Sequence, residues 1–149
     1  MSLLKAAING ALMFSAVGIA NAADLDSISI KVSSSSAYGP QNYRNLSCSG
    51  VDFCSVSVNP SLYSELTGTV SSGSGTGRVS FDYYSYRNSS YHTCRYTLSF
   101  SYSDGKIIDS GMSISAIRTA GSSRCRVVAN PDVNNGKLYT TVSFTGPYR

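Results

Sequence analysis

A hydrolase triad needs a nucleophile, a base and an acid that orients the base, and this sequence offers a single histidine, His92, as the base. His92 stands two residues before Cys94 in a stretch whose alternation puts both on the inward side, so its expected role is a core histidine with a satisfied ring. No Gly-x-Ser-x-Gly nucleophile elbow occurs. A glycosidase-type mechanism needs two carboxylates across one cleft. The carboxylates here, from Asp24 and Asp26 through Asp52, Glu65, Asp82, Asp104 and Asp109 to Asp132, sit mostly in turn and loop contexts, where Asp serves the backbone. The glycine-rich run Ser71 to Gly77 has neither a lysine nor a following helix and so does not cradle a phosphate. These residues argue against an enzyme and give no reason to expect a cofactor.

Tyrosine is the more informative residue. The chain holds 11 tyrosines and no tryptophan, and Tyr83, Tyr84, Tyr86 and Tyr91 cluster beside Arg87 and Arg95. Tyrosine and arginine give rigid, amphipathic contact area at low entropic cost. Tyr84, Tyr86 and Tyr91 fall on the phase opposite the expected core, so with Arg87 and Arg95 they are the candidate binding patch. Such a group can stack on the sugars of a surface glycan or contact another protein. Tyrosines are also good strand formers, and their packing on a pleated surface is the plainer explanation.

Four cysteines, Cys48, Cys54, Cys94 and Cys125, allow three pairings. The favoured one joins Cys48 to Cys54 around a short loop and Cys94 to Cys125 between two expected strands, leaving no thiolate nucleophile. Their spacings match no common zinc pattern, and His92 is the one imidazole, so no metal is expected. Net charge is +4, one less without Lys5, and the basic residues occur singly along the chain. A nucleic-acid footprint needs clustering, so no nucleic-acid partner is expected.

The chain opens with Lys5, then an interrupted apolar run from Ala6 to Ala20, then Ala20-Asn21-Ala22. That order is a bacterial secretory signal peptide over residues 1–22, and it implies a periplasmic or secreted product in which disulfides persist. No later segment approaches the roughly 18 apolar residues of a membrane helix, so no membrane span is expected. Residues 23–149 then form one domain.

The elements that position these residues follow a period of two. Ile28, Ile30 and Val32 alternate with polar residues, as do Val56 and Val58, and Val79, Phe81 and Tyr83. From Tyr91 to Ser103, His92, Cys94, Tyr96, Leu98, Phe100 and Tyr102 share one face. Asp104-Gly105 is a tight-hairpin pair. The returning strand is expected to carry Met112, Ile114 and Ala116 after a bulge at Gly111. Cys125 to Ala129 reads as a strand broken by Asn130-Pro131, and Asn134-Asn135-Gly136 turns into a last strand with Leu138, Thr140, Val142 and Phe144 inward. Asn59 to Leu66 reads as a short helical turn, and Ser33 to Ser36 and Ser71 to Gly77 as loops. The expected fold is all-β, a small antiparallel β-sandwich or open barrel of about seven strands with two disulfides.

The C-terminal run Gly136-Lys-Leu-Tyr-Thr-Thr-Val-Ser-Phe-Thr-Gly-Pro-Tyr148-Arg149 resembles the end of chaperone/usher pilin subunits, with a glycine fourteen residues from the terminus and a penultimate tyrosine. The resemblance implies a last strand that pairs with a periplasmic chaperone. It also implies an N-terminal segment, here Ile28, Ile30 and Val32 with their polar neighbours, that completes the next subunit's sandwich at the cell surface. A homo-polymer is expected only on that basis. The leading expectation is an exported, non-catalytic binding module acting through a sheet face or edge, for example as an inhibitor or immunity-type protein. Its alternative is a fimbrial-type subunit, and a secreted enzyme is a distant third.

Overall fold

Alternating residues assemble into strands because each apolar side chain needs a partner layer on the same face of the pleat. The computed structural model describes residues 24–34, 42–59 and 63–146. The expected signal segment, Tyr148 and part of the expected helical turn lie outside these residues. In chain order the strands are β1 (Ser27–Ser34), β2 (Tyr43–Ser49), β3 (Val51–Asn59), β4 (Tyr63–Val70), β5 (Gly75–Arg87), β6 (Ser90–Ser103), β7 (Lys106–Ile107), β8 (Ser113–Ala120), β9 (Arg124–Asn134) and β10 (Lys137–Thr145). One sheet runs β3-β4-β1-β10-β9, and the other β2-β5-β6, with β7 and β8 both pairing with β6.

The two sheets face each other over Ile28, Ile30, Leu66, Leu138, Val142 and Phe144 from the first and Val79, Phe81, Tyr83, Tyr96, Leu98 and Phe100 from the second, all essentially inaccessible to water. Full burial of side chains of this size contributes about 1.5–3 kcal/mol each. An aromatic seam runs through the core, with Phe81 and Tyr96 ring centroids 5.4 Å apart and Tyr83 and Phe144 5.1 Å apart. Two hydroxyls cross between the layers. Tyr96 Oη donates to the Ser143 carbonyl at 2.7 Å, and Tyr43 Oη meets Ser64 Oγ at 2.8 Å. Burial pushes both phenols well above the ordinary tyrosine range.

β1 occupies the middle of its sheet, antiparallel to β4 and parallel to β10. The sandwich is therefore not wholly antiparallel. Asp26 anchors the lower end of β1. Its backbone N–H donates to the Gly105 carbonyl at 2.9 Å, and its carboxylate accepts from the Ile107 N–H at 2.8 Å and lies 3.3 Å from Lys106 Nζ. Disulfides close both sides of the sandwich, Cys48–Cys54 where β2 leaves one sheet for β3 in the other, and Cys94–Cys125 between β6 and β9. No cysteine is left free. Among the described residues no helix is long and apolar enough to cross a membrane. The two disulfides fit an oxidising extracellular environment.

Several local expectations are corrected. Among the described residues ten strands form rather than about seven. Tyr63 to Leu66 is strand, not helical turn, because Ser64, Leu66, Gly68 and Val70 alternate inward and pair with β1 and β3. Pro131 does not end β9. That strand is an edge whose far side needs no donor, and the register beside it shifts between Tyr139 and Val142. Gly75 to Gly77 begins β5 instead of a loop, since Phe100 lies across Gly77 where a Cβ would come within 2.2 Å of its ring. Ser33 and Ser34 belong to β1. Gly111, at φ +82°, lies in the bend between β7 and β8 rather than in a bulge within one strand. Val58 is outside the core, 44% exposed.

Candidate functional site

The long hairpin of β5 and β6 builds the candidate patch by register alone. Tyr86 faces Tyr91, Tyr84 faces Thr93, and Asp82 faces Arg95, all on the outer side of the sheet. The hairpin turns at Asn88 and Ser89, which both have positive φ as a type I′ connection requires. Tyr86 and Tyr91 remain 59% and 49% exposed with ring centroids 4.8 Å apart, and Tyr84 meets Tyr91 edge-on at 5.6 Å.

β2 supplies the residue that fixes this group. The Arg44 guanidinium lies 4.6 Å from the Tyr84 ring centroid and 4.9 Å from that of Tyr91, and it donates to Thr93 Oγ1 at 3.2 Å. Cation–π contact with two rings ties them to β2. One row along, Arg95 grips Asp82 with two nitrogens, at 2.8 and 3.2 Å, and Asn45 Nδ2 donates to the same carboxylate at 2.8 Å. Burial of Asp82 acts to raise its carboxyl. The hydrogen bonds from Arg95 and Asn45, with the charges of Arg95 and Arg44, outweigh this and hold it below the usual carboxylate range.

The structure thus brings Tyr84, Tyr86 and Tyr91 together and sets Arg95 beside them. Arg87 lies exposed at the end of β5, and its carbonyl faces His92 Nε2 at 3.4 Å. His92 is buried, and its Nδ1 accepts the Ser122 N–H at 3.0 Å. Both ring nitrogens are engaged, as a core histidine requires. Arg44, Asn45 and Asp82 were not singled out from sequence. The signal was the seven-residue polar strand Tyr43–Ser49, whose alternation breaks at Asn45, where φ is positive and the register with β5 shifts.

The residues singled out for strand exchange lie elsewhere. Ile28, Ile30 and Val32 fill this chain's own core, and Gly136 takes the positive-φ place of the Asn135-Gly136 turn before β10. Tyr148 lies outside the described residues.

Among the described residues, no group of three or more His, Cys, Asp or Glu side chains is arranged to hold a metal ion. Shallow clefts occur at the other end of the sandwich, one lined by Asp24, Asp104 and Lys106, another by Asp109, Met112 and Pro131. Compared with known proteins, the chain matches no protein-family model, no curated protein and no solved structure.

Proposed function

We propose that the protein is an exported, non-catalytic binding module whose contact surface is the outer face of the β2-β5-β6 sheet around Tyr86 and Tyr91. The supporting observation is that the half-exposed Tyr91 ring is held by a guanidinium that also lies over Tyr84, and the half-exposed Tyr86 ring packs in turn on Tyr91. Exposed aromatic area held in one geometry loses little entropy when a partner covers it. The test is binding of the oxidised protein and of a Tyr86→Ser/Tyr91→Ser variant to an array of extracellular glycans and proteins. Retention on a ligand that the variant loses, at unchanged thermal stability, supports the reading. Identical profiles for both proteins sink it.

A second reading, a surface subunit assembling by strand exchange, is favoured by one feature. β1 is N-terminal, central and parallel to the last strand, so its departure would open a groove between β4 and β10. Deleting residues 24–34 and adding them back as a peptide tests it. Capture of the peptide as a stable monomer, together with slow polymerisation of the intact chain, supports exchange. A stable intact monomer that never exchanges with added peptide removes it.

A further inference from the structure

Among the described residues, Lys106 and Lys137 stand at one pole of the sandwich, while the arginines other than Arg78, which lies near the start of β5, are set toward the other. β5 and β8 end there, and β6 and β9 begin there, at the turns Asn88-Ser89 and Gly121-Ser122. Arg87 borders the first turn, and Arg118, Arg124 and Arg126 flank the second, all four exposed. Arg124 and Arg126 are on the same side of β9, about 7 Å apart. Arg124 and Arg126 face outward from their own sheet, whereas Arg44 and the Asp82-paired Arg95 lie on the tyrosine face, so the pole carries arginines on both sides of the sandwich. The carboxylates collect at the opposite pole. Asp24 and Asp26 precede β1, Asp52 follows the β2–β3 corner, Asp104 forms the β6–β7 turn, and Asp109 and Asp132 lie near the lower ends of β7 and β9. Among the described residues, the carboxylates of the arginine half are Asp82 and Glu65. Each is already engaged, Asp82 by Arg95 and Asn45, Glu65 by the Ser29 hydroxyl.

We propose that this pole binds an anionic polysaccharide, a glycan chain bearing carboxylates or sulfates. The inference rests on the sheet-face reading above and names its ligand class. Charge complementarity supplies the anion. Exposed arginines that pair with no carboxylate among the described residues attract a polyanion and form bidentate contacts to carboxylate or sulfate. The rings supply the sugar. Tyr86 and Tyr91 are half exposed on the sheet, and beyond them Ser80, Thr97 and Ser115 line up across β5, β6 and β8, where Ser80 Oγ meets Thr97 Oγ1 at 3.3 Å. Such rows offer both donors and acceptors to sugar hydroxyls. Tyrosine and arginine also anchor protein interfaces, and the hydroxyl row beside the rings is what favours a sugar here. Single-stranded nucleic acid calls for a groove that tracks its backbone, and the clefts described above lie at the other pole.

The experiment measures affinities of the oxidised protein for polygalacturonate, dextran sulfate, neutral dextran, poly-glutamate and oligothymidylate at several salt concentrations. The expected result is binding to polygalacturonate, dextran sulfate or both, weakening as salt rises, with the better of the two identifying the anion. Arg118→Gln/Arg124→Gln/Arg126→Gln should lose about tenfold in affinity and flatten the salt dependence. Tyr86→Ser/Tyr91→Ser should lose a similar factor and keep that dependence. Thermal midpoints control for folding, and Arg124→Gln alone, at an exposed site, replaces the triple variant if that variant fails to fold. Equal or tighter binding of poly-glutamate or oligothymidylate overturns the glycan assignment, as does anionic glycan binding that the arginine variants leave unchanged. If neutral dextran binds best and only the tyrosine variant abolishes it, the anionic class fails while the sheet-face reading stands. If no variant alters binding of any probe, both fail.

Discussion

The Tyr96 hydroxyl crosses the core and donates to the main-chain carbonyl of Ser143 at 2.7 Å, joining β6 of one sheet to β10 of the other. A buried carbonyl deprived of its donor costs about 1–3 kcal/mol. Tyr96→Phe keeps the ring against Phe81 and removes only that donor, so urea denaturation should report a loss in this range with an unchanged slope. A loss under a few tenths of a kcal/mol would mean that water reaches Ser143 in place of the phenol.

Alkaline stability depends on the same group. Its folded phenol is pushed above the ordinary value by burial, as is that of Tyr43. An acid whose folded form holds its proton more tightly than the unfolded form stabilises fully below the unfolded value. It loses that contribution as pH rises beyond about 10. The melting temperature should therefore fall steeply above about pH 10, and Tyr96→Phe and Tyr43→Phe should each make the fall shallower.

Asp82 has the opposite sign. Its carboxyl is held below the usual range, so its contribution is present above about pH 4 and is lost as pH falls through the lower folded value. Asp82→Asn should lower stability at neutral pH and flatten the acid limb below about pH 4. A parallel acid limb in wild type and variant would refute this assignment. Because Arg95 is half exposed, the loss at neutral pH should be modest.

The two disulfides close loops of different length, with sequence separations of 6 and 31. On the chain-entropy argument, Cys94→Ser/Cys125→Ser should cost about 1.5 kcal/mol more than Cys48→Ser/Cys54→Ser. Guanidine denaturation of the two double variants makes the comparison. The reverse order would show that the β2–β3 corner, rather than the β6–β9 side, limits stability.

Gly121 has φ +70°, and a Cβ there would come within 2.3 Å of His92 Nδ1 and 2.7 Å of the Tyr91 carbonyl. Gly121→Ala should therefore cost more than the roughly 1 kcal/mol of an ordinary positive-φ substitution. It should also shift the His92 ring resonances in an NMR spectrum. An unmoved histidine signal would show that the turn, not the ring, absorbs the change.

Period-two alternation made the core strands legible, from Ile28 to Val32, along β6, and from Leu138 to Phe144. Side chains on one face of a pleat must share one environment. Asp104-Gly105 and Asn135-Gly136 were legible as turns because both of their residues need positive φ. The disulfide pairing could be favoured from loop length and strand position. β2 and β4 were not readable. Tyr43–Ser49 is an edge with little buried apolar area, and Tyr63–Val70 buries Ser64 and Gly68 beside Leu66 and Val70, so hydropathy does not mark it. The aromatic part of the patch was visible, but Arg44 reaches it only because β2 lies beside β5. The polar arrangement of charge was invisible for the same reason, since residues dozens of positions apart share a pole through strand direction.

The parallel pairing of β1 with β10 sets an order of events for the chain's birth. Ile28 lines up with Leu138, and Val32 with Val142, so β1 can pair early with β4 but acquires its second neighbour only after β10 has been made, far along the chain. Until then its apolar residues lack half of their sheet. Contacts this distant in sequence make folding slow, and a chain interrupted anywhere before Lys137 would leave the opening segment permanently unpaired on one side, a hook for any extended partner that arrives first.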